Sequence, residues 1–455
     1  MEGSSLEIVN GDSVIHPRSA VSTPIISTRA SSLASSHLSL RSLFSGGVAL
    51  VVGTAASNIL SLLFSLMSAR LIAPANYATL TACLSLLVVA AVPAAVLQLA
   101  TASYAADPHF SRAHVLGIQR MLLRGGVIFG VILGMLVLLG SAPLGSFLHL
   151  PNLTPLWLTA VILGTSFIGP VYQGSLQGAH RFTALAAVTS SSFAIRVVVA
   201  AVLLALGMGE VGALAGVLLG TLGSAFLGAM LCRTTETVPS REVLPLRELA
   251  RTVLPTFTMQ LSLTSMLFID TLLSKHFFTP AIVGAYAGLA TTARVLAYLP
   301  GALSVLLFPL VTRLRSNQEQ RRFVTRSILA ATALAETIPL ALCIFAPALV
   351  LHIVVGDHYL GAADQLPWLA TGLTAYAFAN LLANYLLAMR SRSFLAVLIA
   401  FPIILIVSMA LFHDSLSMFV HAITIVMIAF LGCLTLIFAR SGNAAVTEGM
   451  THDPG

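Results

Sequence analysis

The chain has 455 residues; 57% are hydrophobic, 9% are charged, and the mean hydropathy is +0.96. Soluble domains carry about 25% charged residues, so this balance excludes a soluble enzyme or binding module and indicates a polytopic membrane protein. The formal net charge of +7 does not point to nucleic acid, because the basic residues are scattered through short loops, as orientation signals are.

Backbone polar groups in hydrocarbon must be satisfied within each span, so the spans are predicted to be α-helices. Long continuous apolar runs, without alternation, exclude a barrel. Residues 1–43 are rich in Ser and contain no apolar core of a signal peptide; a disordered cytoplasmic tail is expected there. After it come about twelve apolar runs, most near the length of about 20 residues that crosses the hydrocarbon. They cover 44–68, 77–100, 120–142, 153–174, 183–207 and 210–232, then 252–275, 283–310, 327–350, 365–389, 393–412 and 415–439. The fifth and sixth are separated only by Gly207 to Glu210.

With the N-terminus inside, all but four of the 23 basic residues fall on the inner side. Arg70 and Lys275 lie outside, and Arg196 and Arg294 lie within spans. A missed span would invert every assignment after it, so the asymmetry supports an even count with both termini cytoplasmic. The expected domains are the tail 1–43, an N-terminal six-helix lobe 44–232, a cytoplasmic linker 233–251, a C-terminal six-helix lobe 252–440 and a cytoplasmic tail 441–455.

Gly126, Gly130 and Gly134 in the third span, and Gly212, Gly216 and Gly220 in the sixth, form small-residue faces suited to close helix packing. Pro93, Pro170, Pro255, Pro300, Pro339 and Pro402 fall inside spans and predict breaks or kinks. Cys83, Cys232, Cys343 and Cys433 sit in or at the ends of apolar runs and read as packing residues, without metal or disulfide spacing. The loop histidines His109, His114, His276 and His358 are dispersed and read as solvated. Short outer loops without a nucleophile or metal constellation argue against an enzyme.

The two halves repeat. The first outer loop reads LLFSLMSARLIAPANYATL, with Arg70, Pro74 and Tyr77; the seventh span and its exit read MLFIDTLLSKHFFTPAIVGAYAGL, with Lys275, Pro280 and Tyr286. LQGAHRFTALAAV from Leu176 matches LLAMRSRSFLAVLI from Leu386, and Trp157 and Trp368 open matching spans. These pairs keep a nearly constant offset. Each half holds an even number of spans, so the repeats are parallel, related by an axis along the membrane normal, with a central cavity between them. That is a transporter architecture.

Three stretches resemble a known family. Ser68 to Tyr77 is similar to "ARLLGPEEYG". Leu176-Gln177-Gly178 with Arg181-Phe182 is similar to "LQGxxRF". Pro255 to Arg313 carries the cadence "iDxxllxxf…GxYxxa…rl…P" on Asp270, Gly284, Tyr286, Arg294 and Pro309. These motifs belong to the polysaccharide-transporter, or oligosaccharide flippase, branch of the multidrug/oligosaccharidyl-lipid/polysaccharide (MOP) exporter superfamily. The resemblance implies an all-α, MATE-like fold. It also implies movement of a lipid-linked oligosaccharide, of the polyprenyl-phosphate type, across a bacterial plasma membrane. The first-loop segment Ala73-Pro74-Ala75-Asn76-Tyr77-Ala78 lacks the family's acids and glycines. The runner-up is a cation-coupled multidrug exporter of the same superfamily, which should place a carboxylate deep in its N-terminal half; this chain has none.

Four ionisable residues lie well inside spans: Arg196, Asp270, Arg294 and Glu336. Such charges cost several kcal/mol unless they face a cavity or a partner, which makes them functional candidates. Guanidinium groups match phosphate oxygens bidentately and stay charged, so Arg196 and Arg294, one per half, are expected to hold the anionic head group. Asp270 and Glu336 have three open roles: ion pairing with those arginines, binding a coupling H⁺ or Na⁺, or repelling the head group for release. Asn58, Gln98, Gln173, Gln260, Asn380 and Asn384 are candidate sugar ligands, and Tyr172, Tyr298, Tyr376 and Tyr385 are candidate stacking surfaces. Arg70 and Lys275 would sit at the cavity mouth. The expected partners are the lipid-linked substrate, membrane lipid, the coupling cation and a glycan polymerase, with no cofactor and no nucleic acid.

Overall fold

The computed structural model describes residues 52–107, 111–233, 246–298, 318–389 and 393–450. The expected tail 1–43, most of the linker 233–251, His109, the end of the eighth span with Pro300 and Pro309, and the last residues of the chain lie outside the described residues. Every described element is helical.

The first half holds α1 (Val52–Leu71), α2 (Pro74–Ala90), α3 (Val92–Ala106), α4 (Arg112–Leu139), α5 (Ser141–Phe147), α6 (Thr154–Thr165), α7 (Ile168–Gly178), α8 (Phe182–Ala205) and α9 (Gly209–Leu231). The second holds α10 (Leu246–Phe277), α11 (Pro280–Tyr298), α12 (Gln318–Phe345), α13 (Pro347–Val354), a 3₁₀ segment (Asp357–Gln365), α14 (Leu366–Ala388), α15 (Ser393–Leu411) and α16 (Leu416–Met450). Among the described residues, eleven continuous or broken helices are long and apolar enough to cross a membrane. The remaining expected span is α10, whose 32 residues reach about 48 Å at about 1.5 Å per residue. Its apolar character is diluted by Gln260, Asp270 and Lys275.

Two expected spans are broken near their middle, and proline explains both. The second span runs from Pro74 to Ala106 with a break at Ala91. Pro93 has no N–H to offer the carbonyl of Val89, four residues back, so α2 ends and α3 restarts. The fourth runs from Thr154 to Gly178 with a turn at Ser166–Phe167, and Pro170 likewise leaves the Ser166 carbonyl without its helical donor. Pro255, Pro339 and Pro402 sit inside continuous helices. The narrow gap between the fifth and sixth spans holds because Gly207 (φ 79°) and Gly209 (φ 52°) adopt the left-handed backbone that turns the chain within a few residues.

The sequence repeat returns as a packing repeat. In the first half α3 packs on α7, α4 on α6 and α8 on α9; in the second α11 packs on α14, α12 on α14 and α15 on α16. Trp157 and Trp368 occupy equivalent places, each about half exposed at the start of its span. The glycine faces serve packing. A Cβ on Gly130 would lie 2.7 Å from the carbonyl oxygen of Gly164, and one on Gly216 would lie 2.7 Å from that of Arg196. The backbones of α4 and α6, and of α8 and α9, approach as closely as hydrogen side chains allow.

The halves meet where α10 and α11 lie against α2, and α10 against α3. One end of this interface is tied by polar contacts. Tyr359 Oη donates to the carbonyl of Ala69 at 2.9 Å, and the Arg70 guanidinium donates to the carbonyl of Ile353. Tyr77 Oη and Thr291 Oγ1 share a hydrogen bond of 2.8 Å, and the rings of Tyr77 and Tyr359 meet edge-on at 6.0 Å. Pro74 packs so closely on Gly284 that a Cβ there would lie 2.8 Å from it.

Gly130→Leu is expected to lower stability in detergent by about 1–3 kcal/mol, the usual cost of overpacking. Gly125→Leu, where a Cβ meets nothing within 4 Å, is the control and should leave it near wild type. Thermal denaturation of both variants checks this.

Candidate functional site between the two halves

A cavity of about 340 Å³ lies between the halves. Its first-half wall is Thr54 and Asn58 on α1. Its second-half wall is Thr264, Leu267 and Phe268 on α10, Ala297 and Tyr298 on α11, and Tyr376 and Asn380 on α14. The volume lies within the range of about 300–1,000 Å³ typical of ligand pockets. Amide and phenol groups among apolar side chains are the usual lining of a site that orients a polar ligand.

Arg294 stands behind the α10–α11 wall, and its Nε and one terminal nitrogen are used. One guanidinium NH₂ reaches Asp270 Oδ1 at 2.6 Å and Thr271 Oγ1 at 2.6 Å, while Nε donates to the carbonyl of Leu267 at 3.0 Å. Asp270 Oδ2 accepts from Tyr286 Oη at 2.5 Å. Arg294 and Asp270 are each only 6% exposed. Desolvating each ion costs several kcal/mol, and only close geometry with further hydrogen bonds offsets that cost. The structure therefore places Arg294 in an internal ion pair rather than facing a ligand, and this pairing occupies Asp270. The guanidinium also lies 4.9 Å from the ring of Phe268, a cavity residue.

Among the described residues, Arg196 on α8 has no such partner. Its guanidinium carbon stacks 3.8 Å over the ring of Phe64 on α1, and its buried Nε has no hydrogen-bond acceptor. Stacking on an aromatic face contributes about 2 kcal/mol when desolvated, less than the several kcal/mol of desolvation. Tyr298, in the cavity wall, lies within electrostatic reach of both Arg196 and Arg294. Neither arginine is itself a lining residue; Tyr298 relates both to the cavity wall, one from each half, one neutralised and one not.

Glu336 on α12 is 2% exposed. Thr374 Oγ1 donates to its Oε2 at 3.3 Å, and its Oε1 has no partner. It pairs with neither arginine.

Of the amide candidates, the cavity takes Asn58 and Asn380. Asn384 donates to the side chain and carbonyl of Asn380, each at 2.9 Å, and so supports it from one turn away. Gln260 is exposed one helical turn before Thr264, on the same face of α10. Gln173 is directed elsewhere, donating to Ser224 Oγ at 3.0 Å within the first half, and Gln98 donates to Gln177 at 3.2 Å. Tyr298 and Tyr376 line the cavity. Tyr385 packs on Phe438, and Tyr172 lies against Gly228.

Neither basic residue expected at the mouth lines the cavity. Arg70 is exposed and ties α1 to the carbonyl of Ile353 beyond it. Lys275 is only 4% exposed. Lys275 is in the last turn of α10, and α10 lies against α2 and α3 of the first half. Cys83 on α2 and Glu210 in the first turn of α9 are the neighbours in electrostatic range.

Two features escape a reading of the sequence. Phe64 looks like any lipid-facing aromatic until α1 and α8 are brought together. His276 stacks on Phe147 at 4.1 Å, Phe277 stacks on His413 at 4.3 Å, and His149 lies 5.8 Å from His276. Histidines from three stretches far apart in the chain thus gather at one end of the interface. Among the described residues, no three His, Cys, Asp or Glu side chains form a possible metal site.

Asp270→Asn is expected to destabilise by about 3–5 kcal/mol, because Arg294 stays buried without its counter-charge. Asp270→Asn combined with Arg294→Gln should recover most of that loss. Thermal unfolding midpoints of the two variants decide the point.

A model of the polysaccharide biosynthesis protein family matches residues 69–364. No curated protein sequence matches the chain. Among solved structures, the chain is similar to an inward-facing multidrug resistance MATE family transporter of the MOP superfamily. The TM-score is 0.72 at 16% identity, covering 88% of this chain and 96% of the other. An outward-facing MATE family transporter of that superfamily gives 0.62 at 16% identity, covering 90% and 97%. The lipid II flippase MurJ, in an inward closed conformation, gives 0.69 at 14% identity, covering 86% and 87%. With a family match over most of its length, this chain belongs to the polysaccharide biosynthesis protein family, and its fold is that of the MATE transporters and MurJ.

Proposed function

We propose that this chain is a flippase. It moves a lipid-linked oligosaccharide with a phosphate or pyrophosphate head group from the inner to the outer leaflet of a bacterial plasma membrane, by alternating access of lobes 44–232 and 252–440. The observation that carries the reading is Arg196: a guanidinium stacked on Phe64 beside the central cavity, with a buried Nε and no acceptor. A phosphate oxygen is the ligand that best completes such a group, because its charge and geometry match the planar fork. Asn58, Asn380, Tyr298 and Tyr376 offer hydroxyl-matching amides and a stacking surface for the first sugars. The polyprenyl tail stays in lipid. The family match to polysaccharide biosynthesis proteins favours a glycan substrate over a drug.

With the N-terminus cytoplasmic, the cavity lies toward the inner side, since Thr54 and Asn58 are near the start of α1 and Asn380 is near the end of α14. The Tyr77, Tyr359 and Arg70 contacts then close the outer side. This is the state that loads substrate from the inner leaflet. Arg294 would be released to substrate only if Asp270 lost its charge or moved away, so Arg196 is assigned the first contact and Arg294 a place in the wall.

Arg196→Ala should weaken binding of a polyprenyl-pyrophosphate disaccharide by about 10- to 100-fold, the loss of one hydrogen bond to a charged group. Arg196→Lys should recover part of it, because ammonium lacks the planar fork. Surface glycan display and binding to the purified protein are the readouts. Unchanged display in Arg196→Ala sinks the reading. Efflux of a lipophilic cation that survives Arg196→Ala would favour the multidrug exporter.

A further inference from the structure

Glu336 plays no part in the cavity, and its surroundings are unusual for a carboxylate. Helix α12 is a peripheral helix. Leu334 and Ile338, on either side of Glu336, are 76% and 69% exposed, so this helix shows most of its surface to the hydrocarbon. Its buried stripe is Thr325, Thr332, Glu336 and Cys343, each at most 4% exposed. The stripe faces α14, where Thr374 supplies the single hydrogen bond that Glu336 accepts, at 3.3 Å. Oε1 is buried without a partner.

Among the described residues, no cation answers this carboxylate. The elements packed on α12 are α11, α13 and α14. On α11, Arg294 and Tyr286 are both engaged by Asp270. On α13, His352 is engaged by Asp357. On α14, Tyr376 donates to the carbonyl of Leu263, away from Glu336. On α12 itself, the thiol of Cys343 is the titratable group in electrostatic range. An ionised carboxylate at a lipid-facing seam with one long hydrogen bond would carry most of its desolvation cost unrelieved. A neutral acid would not. A Na⁺ ion needs a shell of several oxygens, as hard cations do, and the described contacts supply only the carboxylate and one hydroxyl.

We propose that Glu336 is a proton-binding site, separate from the substrate cavity, that carries the coupling proton of the transport cycle. The carboxylate takes up one proton when the α12–α14 seam closes over it, and releases that proton to water when the seam opens. Helix α14 links this event to the cavity. Thr374 and Tyr376 are two residues apart, about 200° around the helix, so one face of α14 meets Glu336 while another lines the cavity through Tyr376 and Asn380. A shift of α14 on proton release therefore moves the cavity wall.

The coupling role rests on the flippase reading, whereas proton occupancy does not. The test uses the full chain in phosphatidylethanolamine/phosphatidylglycerol vesicles. Infrared spectra of wild type, Glu336→Gln and Asp270→Asn report a protonated carboxyl group directly, by its carbonyl stretch. Flipping of a polyprenyl-pyrophosphate disaccharide under an imposed pH gradient reports coupling. The proposal expects a protonated-carboxyl band at neutral pH that Glu336→Gln loses, that Asp270→Asn keeps and that added Na⁺ leaves unchanged. It also expects a severalfold acceleration of flipping by the gradient in wild type that Glu336→Gln loses. The isosteric amide can still accept from Thr374, so the variant should fold. The absence of any Glu336-dependent band overturns the proposal, as does a band that Na⁺ displaces or a gradient response intact in Glu336→Gln. If wild type moves no substrate at all, the flippase reading fails, and the infrared arm still decides whether Glu336 holds the proton.

Discussion

The ion pair of Asp270 with Arg294 is the constraint on which the second half depends. Both charges sit at 6% exposure in helices that otherwise read as membrane spans. In that setting neither can be left alone: breaking a buried pair costs more than the pair itself contributes, because one charge stays desolvated and unanswered. Every neighbouring polar group is therefore recruited. Tyr286, Thr271 and the carbonyl of Leu267 complete the shells, and together they fix the rotation and height of α11 against α10. Leu267, Phe268, Ala297 and Tyr298 belong to the same turns, so the pair also sets the shape of the cavity wall.

The first half solves its charge problem differently, and function enters there. Arg196 receives an aromatic face instead of a carboxylate. The repeat has kept the helices and their packing while letting the charges diverge. Tyr77 and Tyr286, equivalent in sequence, show the same divergence: the first bonds across the interface to Thr291, the second within its own half to Asp270. Two lobes of one architecture thus hold, near one cavity, a neutralised cation on one side and an unpaired one on the other. Such an asymmetry suits an anionic ligand. Loading it adds the missing counter-charge on one side without disturbing the pair on the other.

Close approach of backbones makes the arrangement mechanically coherent. Gly130 and Gly216 let pairs of helices within the first half behave as single bodies. The contacts between halves are fewer and more polar, centred on α2 and on the loop that Tyr359 and Arg70 hold. Rigid lobes joined by an interface of separable hydrogen bonds are what alternating access requires.

Much of this was legible in one dimension. Hydropathy and length define spans because the bilayer imposes them on each segment independently, and the positive-inside asymmetry counts those spans without reference to contacts. The repeat, the glycine faces and the four intramembrane charges are likewise visible as strings. The broken spans were hinted at by Pro93 and Pro170, because a missing N–H acts locally. What a string cannot contain is the rotation of one helix against another far along the chain. That rotation decided that Arg294 meets Asp270 while Arg196 meets Phe64, that Gln173 turns to Ser224 instead of the cavity, and that Lys275 is buried instead of exposed. It also brought Tyr359 to Ala69 and buried Glu336 against α14. The residues fixed which charges must be answered; only tertiary packing, which selects one face of each helix for burial, decided which of them were.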